Sequence, residues 1–279
     1  GITPYTQFEL NRFLQEGLPF TIATERTPAS LMADVKELDL QLPVIAMDGA
    51  VLVDLKEKRY LACHGLGKEL VDTICTHLRQ KGYHYFLNVV WQDVLLIYYK
   101  DFKNEVERKL YQEARRSPYR NYVYGDMPEE GVVVYILLVI KDTEADTLEK
   151  ELRDLDKNGE LLYLRDENET PEEYCHFKIY HKKATKEDML RRLMEEIPQK
   201  KCIAFGSNKN DLSMLAAADV SFATADAIPE AVKAAKYQLR GRDGDSIARK
   251  ISRLYAPIKG QPVPKVLREI RNVKEKKEG

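Results

Sequence analysis

The chain has 279 residues, which at about 150 residues per domain predicts about two domains, each with its own core. It carries 44 Lys and Arg against 45 Asp and Glu, a formal net charge of -1, and 44% of its residues are hydrophobic. This composition is typical of a soluble globular protein. The balanced charge argues against nucleic-acid binding, and the longest apolar run, Val132–Ile140, is far too short to cross a membrane.

No signal peptide or membrane span is visible in the sequence. The four cysteines, Cys63, Cys75, Cys175 and Cys202, form no CxxC pair and show no metal-ligand spacing. We therefore expect buried free thiols, no disulfide framework, no zinc site and a reducing cytoplasmic location.

The first 50 residues alternate between helical and extended patterns. Thr6–Gln15 has apolar residues at helical spacing, Pro19–Thr24 is a short apolar strand, Thr27–Leu38 is a capped helix, and Leu42–Met47 is a buried strand. This order indicates parallel βαβ architecture whose first strand is absent.

The last third repeats the same alternation. The predicted elements are, in order, the strand Lys200–Phe205, the helix Asp211–Ala218, the strand Val220–Thr224, a helix opened by Pro229, the edge strand Tyr237–Arg240 and the helix Asp245–Leu254.

The middle of the chain has a different pattern, αββαβαββ, which predicts an inserted α+β domain. Its helices are Lys68–Lys81, Asn104–Ser117 and Glu144–Leu155, and its strands are Tyr83–Val90, Val94–Tyr99, Val132–Ile140, Leu161–Leu164 and Tyr174–Tyr180. The chain is expected to cross between domains at Val53–Arg59 and His181–Ala184. We therefore predict an α/β protein: a doubly wound, mostly parallel, Rossmann-like core sheet of residues 1–56 and 183–279, and an inserted domain of residues 57–182.

Ligands of open α/β sheets bind at the carboxyl ends of the strands, and three segments there carry suitable side chains. At Thr24–Thr27 a hydroxyl, the Arg26 guanidinium and free helix amides could hold a phosphate, or Thr27 could simply cap its helix beside a solvated Arg26. Lys186 opens a helix capped by Thr185, and it could pair with an anion or be a solvated lysine.

The third segment, Gly206–Asp211, follows a strand and enters a helix. Its Ser, Asn and Asp side chains can bind a divalent cation through oxygen, and its amides can bind a phosphate. The alternative is an ordinary polar loop between a strand and a helix.

Taken in order, these segments resemble the haloacid dehalogenase superfamily of phosphatases, in its Cof-type or IIB branch with a large α+β cap. Ala23-Thr24-Glu25-Arg26 is similar to the family's ATGR-like stretch, and Asp48-Gly49-Ala50 to its NGA element. Lys186 matches the lysine that follows the cap, and Gly206–Asp211 with Leu212–Leu215 matches the GDxxND loop and helix. The resemblance covers essentially the whole chain.

The sequence departs from the family pattern at the catalytic motif. The family's DxDGT motif, with its nucleophilic aspartate, is absent. Met47-Asp48-Gly49 cannot replace it, because the nucleophile would then be Ala46. Gly1–Pro4 is similar to the stretch that normally follows the motif, so a strand and loop of about 10 to 15 residues are expected in front of it.

Two single residues also depart from the pattern. Ser207 stands where most members carry a metal-binding aspartate, and Glu25 replaces a glycine near the expected phosphate. Serine is a neutral and weaker metal ligand than aspartate.

The resemblance implies hydrolysis of a small phosphate monoester, such as a sugar phosphate, through an aspartyl-phosphate with Mg²⁺. Thr24, Arg26, Lys186 and Asn210 would bind the phosphate, with Thr24 and Lys186 catalytic, and Ser207 and Asp211 would hold the metal. Without the nucleophile the chain is not expected to turn over a substrate.

Two other classes remain open. One is a non-catalytic homologue that binds a phosphate or metabolite. The other is a regulatory or scaffold protein that uses the cap as a contact surface, with Tyr119, Tyr122 and Tyr124 as a contact patch or as locally packed side chains. The oligomeric state is not predicted.

Overall fold

The structure is a computed structural model that describes residues 2–116, 120–126, 130–166, 171, 173–198, 201–241 and 244–255. The described residues form two compact units, one within 2–22, 32–43 and 190–255, the other within 23–31 and 44–189. The helices are α1 Pro4–Gln15, α2 Pro28–Val35, α3 Lys68–Gln80, α4 Glu105–Ala114, α5 Asp142–Leu155, α6 Lys186–Glu196, α7 Leu212–Ala217, α8 Pro229–Ala234 and α9 Ser246–Tyr255.

The strands fall into three sheets. They are β1 Val44–Ala46, β2 Val51–Asp54, β3 Arg59–Cys63, β4 Phe86–Trp91, β5 Val94–Tyr99, β6 Asn121–Tyr124, β7 Val132–Lys141, β8 Leu161–Asp166, β9 Tyr174–His181, β10 Ile203–Gly206, β11 Val220–Ala223 and β12 Tyr237–Gln238. Short 3₁₀ turns cover Met47–Gly49 and Lys209–Asp211.

The first compact unit contains the parallel sheet β10-β11-β12, whose strands are connected through α7 and α8. Beside this sheet, α1 begins at Thr3, whose hydroxyl accepts the Thr6 amide, and both threonine hydroxyls donate to Asp245 in front of α9. Phe13 of α1 meets Tyr255 of α9 edge to face, with ring centroids 5.6 Å apart. These contacts join the two ends of the described chain within this unit.

The second unit is built on a mixed six-stranded sheet of order β6-β5-β4-β7-β9-β8. Helices α3 and α5 cover one face, because their apolar stripes pack on alternate strand residues. In β9, Phe177 and Ile179 belong to this buried core. Lys178 and Tyr180, which alternate with them along the strand, therefore lie on the opposite face of the sheet.

The same unit contains a small antiparallel sheet, β1-β2-β3. Residue Ala23 forms a single parallel bridge with Ile45 of β1, and the Thr24 amide donates to the Ile45 carbonyl at 2.9 Å. The segment before α2 is thereby aligned with the end of β1.

The α/β fold predicted from the sequence is confirmed, with differences in single elements. The predicted strand Pro19–Thr24 forms only the bridge at Ala23. The predicted domain crossing at Val53–Arg59 contains the turn of the β2–β3 hairpin. Strands β2, β3 and β6 were not predicted. Strand β6 has only four residues, and it forms by pairing in parallel with β5. The boundaries 1–56, 57–182 and 183–279 remain a prediction.

The cysteines and the tyrosine patch can be placed in part. All four cysteines are free, with Cys75 and Cys175 buried and Cys63 and Cys202 half-buried. Tyr122 and Tyr124 both lie against the ring of Tyr99, at centroid distances of 6.0 and 5.7 Å, and Tyr124 is also 67% exposed. Tyr119 lies outside the described residues.

Ile136 at the centre of β7 tests the core of the second unit, since it is fully buried in it. We expect Ile136→Ala to lower the free energy of unfolding by about 2 to 5 kcal/mol in denaturant titrations, because it leaves a cavity. The control Val94→Ala, at a side chain that is 40% exposed, should cost less than about 1 kcal/mol. Equal losses for the two variants would contradict this placement of the core.

Candidate active site

The turn after β1 has an unusual backbone. Met47, Asp48 and Gly49 have φ values of 52°, 59° and 100°, all in the left-handed region. Such a conformation costs about 1 to 3 kcal/mol for each non-glycine residue and persists only where surrounding contacts hold it. Two of these contacts come from the segment before α2: the Asp48 amide donates to the Thr24 carbonyl at 3.1 Å, and the Met47 amide to the Arg26 carbonyl at 3.0 Å.

Gly49 packs directly on the start of α6. A Cβ at this position would lie 2.2 Å from the carbonyl carbon and oxygen of Thr185 and 2.6 Å from the amide nitrogen of Lys186. Only glycine allows the turn to approach the peptide this closely. The turn and the first residue of α6 are therefore fixed next to each other.

Helix α6 begins as the sequence predicts. The Asp188 amide donates to the Thr185 hydroxyl at 3.1 Å, and that hydroxyl donates to the Asp188 carboxylate at 3.0 Å, so Thr185 caps the helix. Met189 and Leu193 are buried on its apolar stripe. Lys186 is only 5% exposed, so it is not the solvated lysine of the alternative interpretation.

The segment with Thr24 and Arg26 lies against the same turn. The Thr24 hydroxyl accepts the Arg26 amide at 3.2 Å, which leaves its own proton for donation. The Arg26 guanidinium donates to the Ser30 carbonyl, and Thr27 caps α2 through the Ser30 amide. Arg26 thus braces its loop, and its contact with a substrate remains a prediction.

The structure brings Thr24 and Lys186 to two sides of one strained turn. Thr24 contacts it through the Asp48 amide, and Lys186 through Gly49. Both contacts are made by backbone atoms, the Thr24 carbonyl and the Lys186 amide nitrogen. A hydroxyl donor and an ammonium are side chains that an anionic phosphate can bind.

The loop Gly206–Asp211 belongs to the other compact unit and is ordered by its own contacts. Asp211 is 6% exposed, and its Oδ2 accepts the amides of Ser207 and Asn208 at 2.8 and 3.0 Å. A Cβ at Gly206 would lie 2.7 Å from the Asp211 Cβ, so the loop is tightly closed. Asn210 is half-buried. The binding of one phosphate by Asn210 together with Thr24 and Lys186 remains a prediction.

Two side chains that were not predicted from the sequence contact the turn. The Tyr180 hydroxyl donates to Asp48 Oδ2 at 3.0 Å, and Lys178 Nζ lies 3.7 Å from the same oxygen. Burial, followed by the negative charge of Asp48, raises the pKa of Tyr180 well above its usual value, so the hydroxyl keeps its proton. The alternation of residues in β9 predicts that Lys178 and Tyr180 lie on one face of the sheet, but it does not predict that both contact Asp48.

A separate cleft of about 460 Å³ lies between α3 and the strands β4 and β5, on the helix-covered face of the six-stranded sheet. It is lined by tyrosines and by both cations and carboxylates: Lys68, Arg79 and Lys100, with Asp72, Asp101 and Asp126. Lys100 already pairs with Asp126 at 2.6 Å, which lowers the pKa of that carboxyl. This balance of charge does not favour a phosphate.

In the part of the chain that the structure describes, no three or more His, Cys, Asp or Glu side chains are grouped so that they could hold a metal ion. No described helix is both long and apolar enough to cross a membrane.

Comparisons with known proteins agree with the resemblance seen in the sequence. The sequence model of the haloacid dehalogenase-like hydrolases matches residues 1–251. A Haemophilus influenzae protein, provisionally named a phosphatase, is 23% identical over 257 residues, which cover 88% of this chain and 89% of that protein.

Solved structures show the same fold. A haloacid dehalogenase-like hydrolase from Bacteroides thetaiotaomicron has a TM-score of 0.71 at 18% identity, covering 89% of this chain and 91% of that one. A sugar phosphatase of HAD subclass IIB has a TM-score of 0.64 at 20% identity, covering 90% of this chain and 92% of that one.

The contact between Gly49 and α6 can be tested with a pair of glycine variants. Gly159 also has a positive φ, of 60°, but a Cβ there would meet no atom within 4 Å. Gly159→Ala should therefore cost only the conformational penalty of about 1 to 2 kcal/mol. Gly49→Ala adds a clash with the Thr185 peptide and should exceed the control by at least about 1 kcal/mol in thermal or denaturant unfolding. Equal destabilisation would show that Gly49 does not pack on α6.

Proposed function

The chain belongs to the haloacid dehalogenase-like hydrolases, and we propose that it acts as a Mg²⁺-dependent phosphatase on a small phosphate monoester, a sugar phosphate in particular. The observation that carries this proposal is the buried Lys186, fixed by Gly49 next to the turn that also contacts Thr24. A buried ammonium makes strong, charge-assisted hydrogen bonds to an anion such as a phosphate.

Each residue of the proposed phosphate site has a chemical role. The Thr24 hydroxyl donates a hydrogen bond to a phosphate oxygen. Lys186 pairs with the phosphate and with the carboxylate of the nucleophilic aspartate of the DxDGT motif. Arg26 keeps the loop in place through its bond to Ser30. Asn210 binds the phosphate or orients its own loop. Phosphoryl transfer requires mainly such positioning and charge stabilisation.

Asp211 and Ser207 are the proposed Mg²⁺ ligands. Their oxygens are the hard donors that Mg²⁺ takes, and the Asp211 carboxylate is held in one orientation by the two loop amides. A bound Mg²⁺ would neutralise charge on the phosphoryl oxygens. Because one carboxylate and one hydroxyl are few protein ligands, most of the remaining positions would be filled by water and phosphate.

The nucleophile is the part of the mechanism that this sequence does not contain, since it has no DxDGT motif. By the resemblance, an aspartate of that motif would attack the phosphorus and displace the alcohol of the monoester, and water would then hydrolyse the aspartyl-phosphate to free aspartate and inorganic phosphate. We therefore expect hydrolysis only when a segment with this motif completes the site.

The proposed partner is a small phosphorylated metabolite, with neither nucleic acid nor a membrane involved. The proposed location is the reducing cytoplasm, in keeping with four free cysteines. The second candidate function is a non-catalytic protein that binds a phosphorylated metabolite. It is favoured by the departures at Glu25 and Ser207.

The test restores the missing chemistry. A family-like strand with DxDGT, fused in front of Gly1, should give Mg²⁺-dependent release of phosphate from p-nitrophenyl phosphate, because this substrate needs few cap contacts. Changing the first aspartate of the motif to asparagine should abolish release. Lys186→Met should lower kcat/KM by at least about 100-fold, the effect of losing a charged donor to the transition state.

The matched control is Lys183→Met, which removes an exposed lysine three residues earlier and should leave kcat/KM unchanged. A folded, Mg²⁺-loaded fusion that releases no phosphate from a broad panel of monoesters would favour the binding protein instead.

A further inference from the structure

Strand β9 of the six-stranded sheet contacts the strained turn through two side chains. Tyr180 donates to Asp48 Oδ2 at 3.0 Å, and Lys178, two residues earlier on the same face, places its ammonium 3.7 Å from that oxygen. Asp48 is 3% exposed and Tyr180 is 1% exposed. A buried carboxylate is stable only when it is hydrogen-bonded and its charge is offset, and these two side chains do both.

The position of the Tyr180 hydroxyl is itself fixed. Tyr180 lies opposite Tyr135 in the register of β7 and β9, and the two rings are stacked with centroids 4.9 Å apart. The hydroxyl therefore has little freedom, and it holds the Asp48 carboxylate in one direction.

Asp48 in turn contacts both sides of the proposed phosphate site. Its amide donates to the Thr24 carbonyl, and the next residue, Gly49, lies against the Thr185 peptide and the Lys186 nitrogen. Because the turn is strained, it keeps its shape only while these contacts hold it. A change at the carboxylate is thus expected to move Thr24 and Lys186 together.

We propose that Asp48 is a positioning residue, held by Lys178 and Tyr180, which aligns Thr24 and Lys186 for phosphate binding. The inference rests on the phosphate site of the proposed function. Asp48 acts through its neighbours and does not touch the phosphate, since two anions in contact would repel each other. The cap strand β9 therefore contributes to phosphate affinity through the backbone of the turn.

The test measures the affinity of the 279-residue chain for inorganic phosphate by isothermal titration, which requires no nucleophile and no hydrolysis. Asp48→Asn removes the charge but suits the left-handed backbone, because asparagine tolerates positive φ. Tyr180→Phe removes only the hydroxyl. Each variant should weaken binding by about 10-fold, the effect of losing a hydrogen bond to a charged group.

Two further measurements separate positioning from a general loss of structure. Asp48→Asn combined with Lys186→Met should weaken binding by clearly less than the product of the two single effects, because Asp48 acts through Lys186. Lys178→Met should weaken binding, and Lys178→Arg should restore it to within about 2-fold, because the arginine keeps the charge.

The control is Glu151→Gln in α5. It removes the negative charge that pairs with Lys81 at 2.7 Å and His77 at 2.8 Å on the helix-covered side of the sheet, and it should leave phosphate affinity unchanged.

The possible failures can be told apart. If wild type binds phosphate and Lys186→Met does not, while Asp48→Asn and Tyr180→Phe bind normally, the positioning role is refuted and the phosphate site stands. The positioning role would also be refuted if the losses of phosphate affinity from Asp48→Asn and Lys186→Met simply multiply in the double variant. If wild type does not bind phosphate, or if Lys186→Met binds like wild type, the proposed site fails and the inference fails with it. If Asp48→Asn does not fold, Tyr180→Phe and the Lys178 pair decide the question.

Discussion

The close contact between Gly49 and the Thr185 peptide is the constraint on which the proposed site depends. It places the first residue of α6 beside a turn whose backbone is left-handed at three consecutive residues. The same turn receives the segment before α2 through two backbone hydrogen bonds. Residues 24, 48 and 186 are far apart in the sequence, and these hydrogen bonds, together with a packing contact that only glycine permits, bring their backbones to one place.

Charge and burial explain why such a place would bind an anion. Lys186 and Asp48 are both nearly inaccessible to water, and each ion requires compensation there. Asp48 receives it from Lys178 and Tyr180 on β9. A phosphate would supply further compensation to Lys186. The cleft on the other face of the same sheet differs, because its cations and carboxylates balance one another.

The local patterns in the sequence predicted the elements on which the candidate site residues lie. They did not predict the contacts between residues that are distant in the sequence. The cap of α6 at Thr185 and the loop at Gly206–Asp211 follow from short-range chemistry, which a sequence shows directly. The bond from Tyr180 to Asp48 joins residues 132 positions apart, and no spacing rule predicts it. Strand β6 likewise exists only through its pairing with β5. The family resemblance assigned roles to six residues, and those roles remain proposals.

The central claim is that phosphate binds where the turn brings Thr24 and Lys186 together. Amide chemical shifts of the isotopically labelled chain, followed by NMR while inorganic phosphate is added, test it most directly. The account predicts that the largest shifts occur at Thr24, Arg26, Gly49 and Lys186. Shifts concentrated at Lys68, Arg79 and Lys100, with none around the turn, would contradict it.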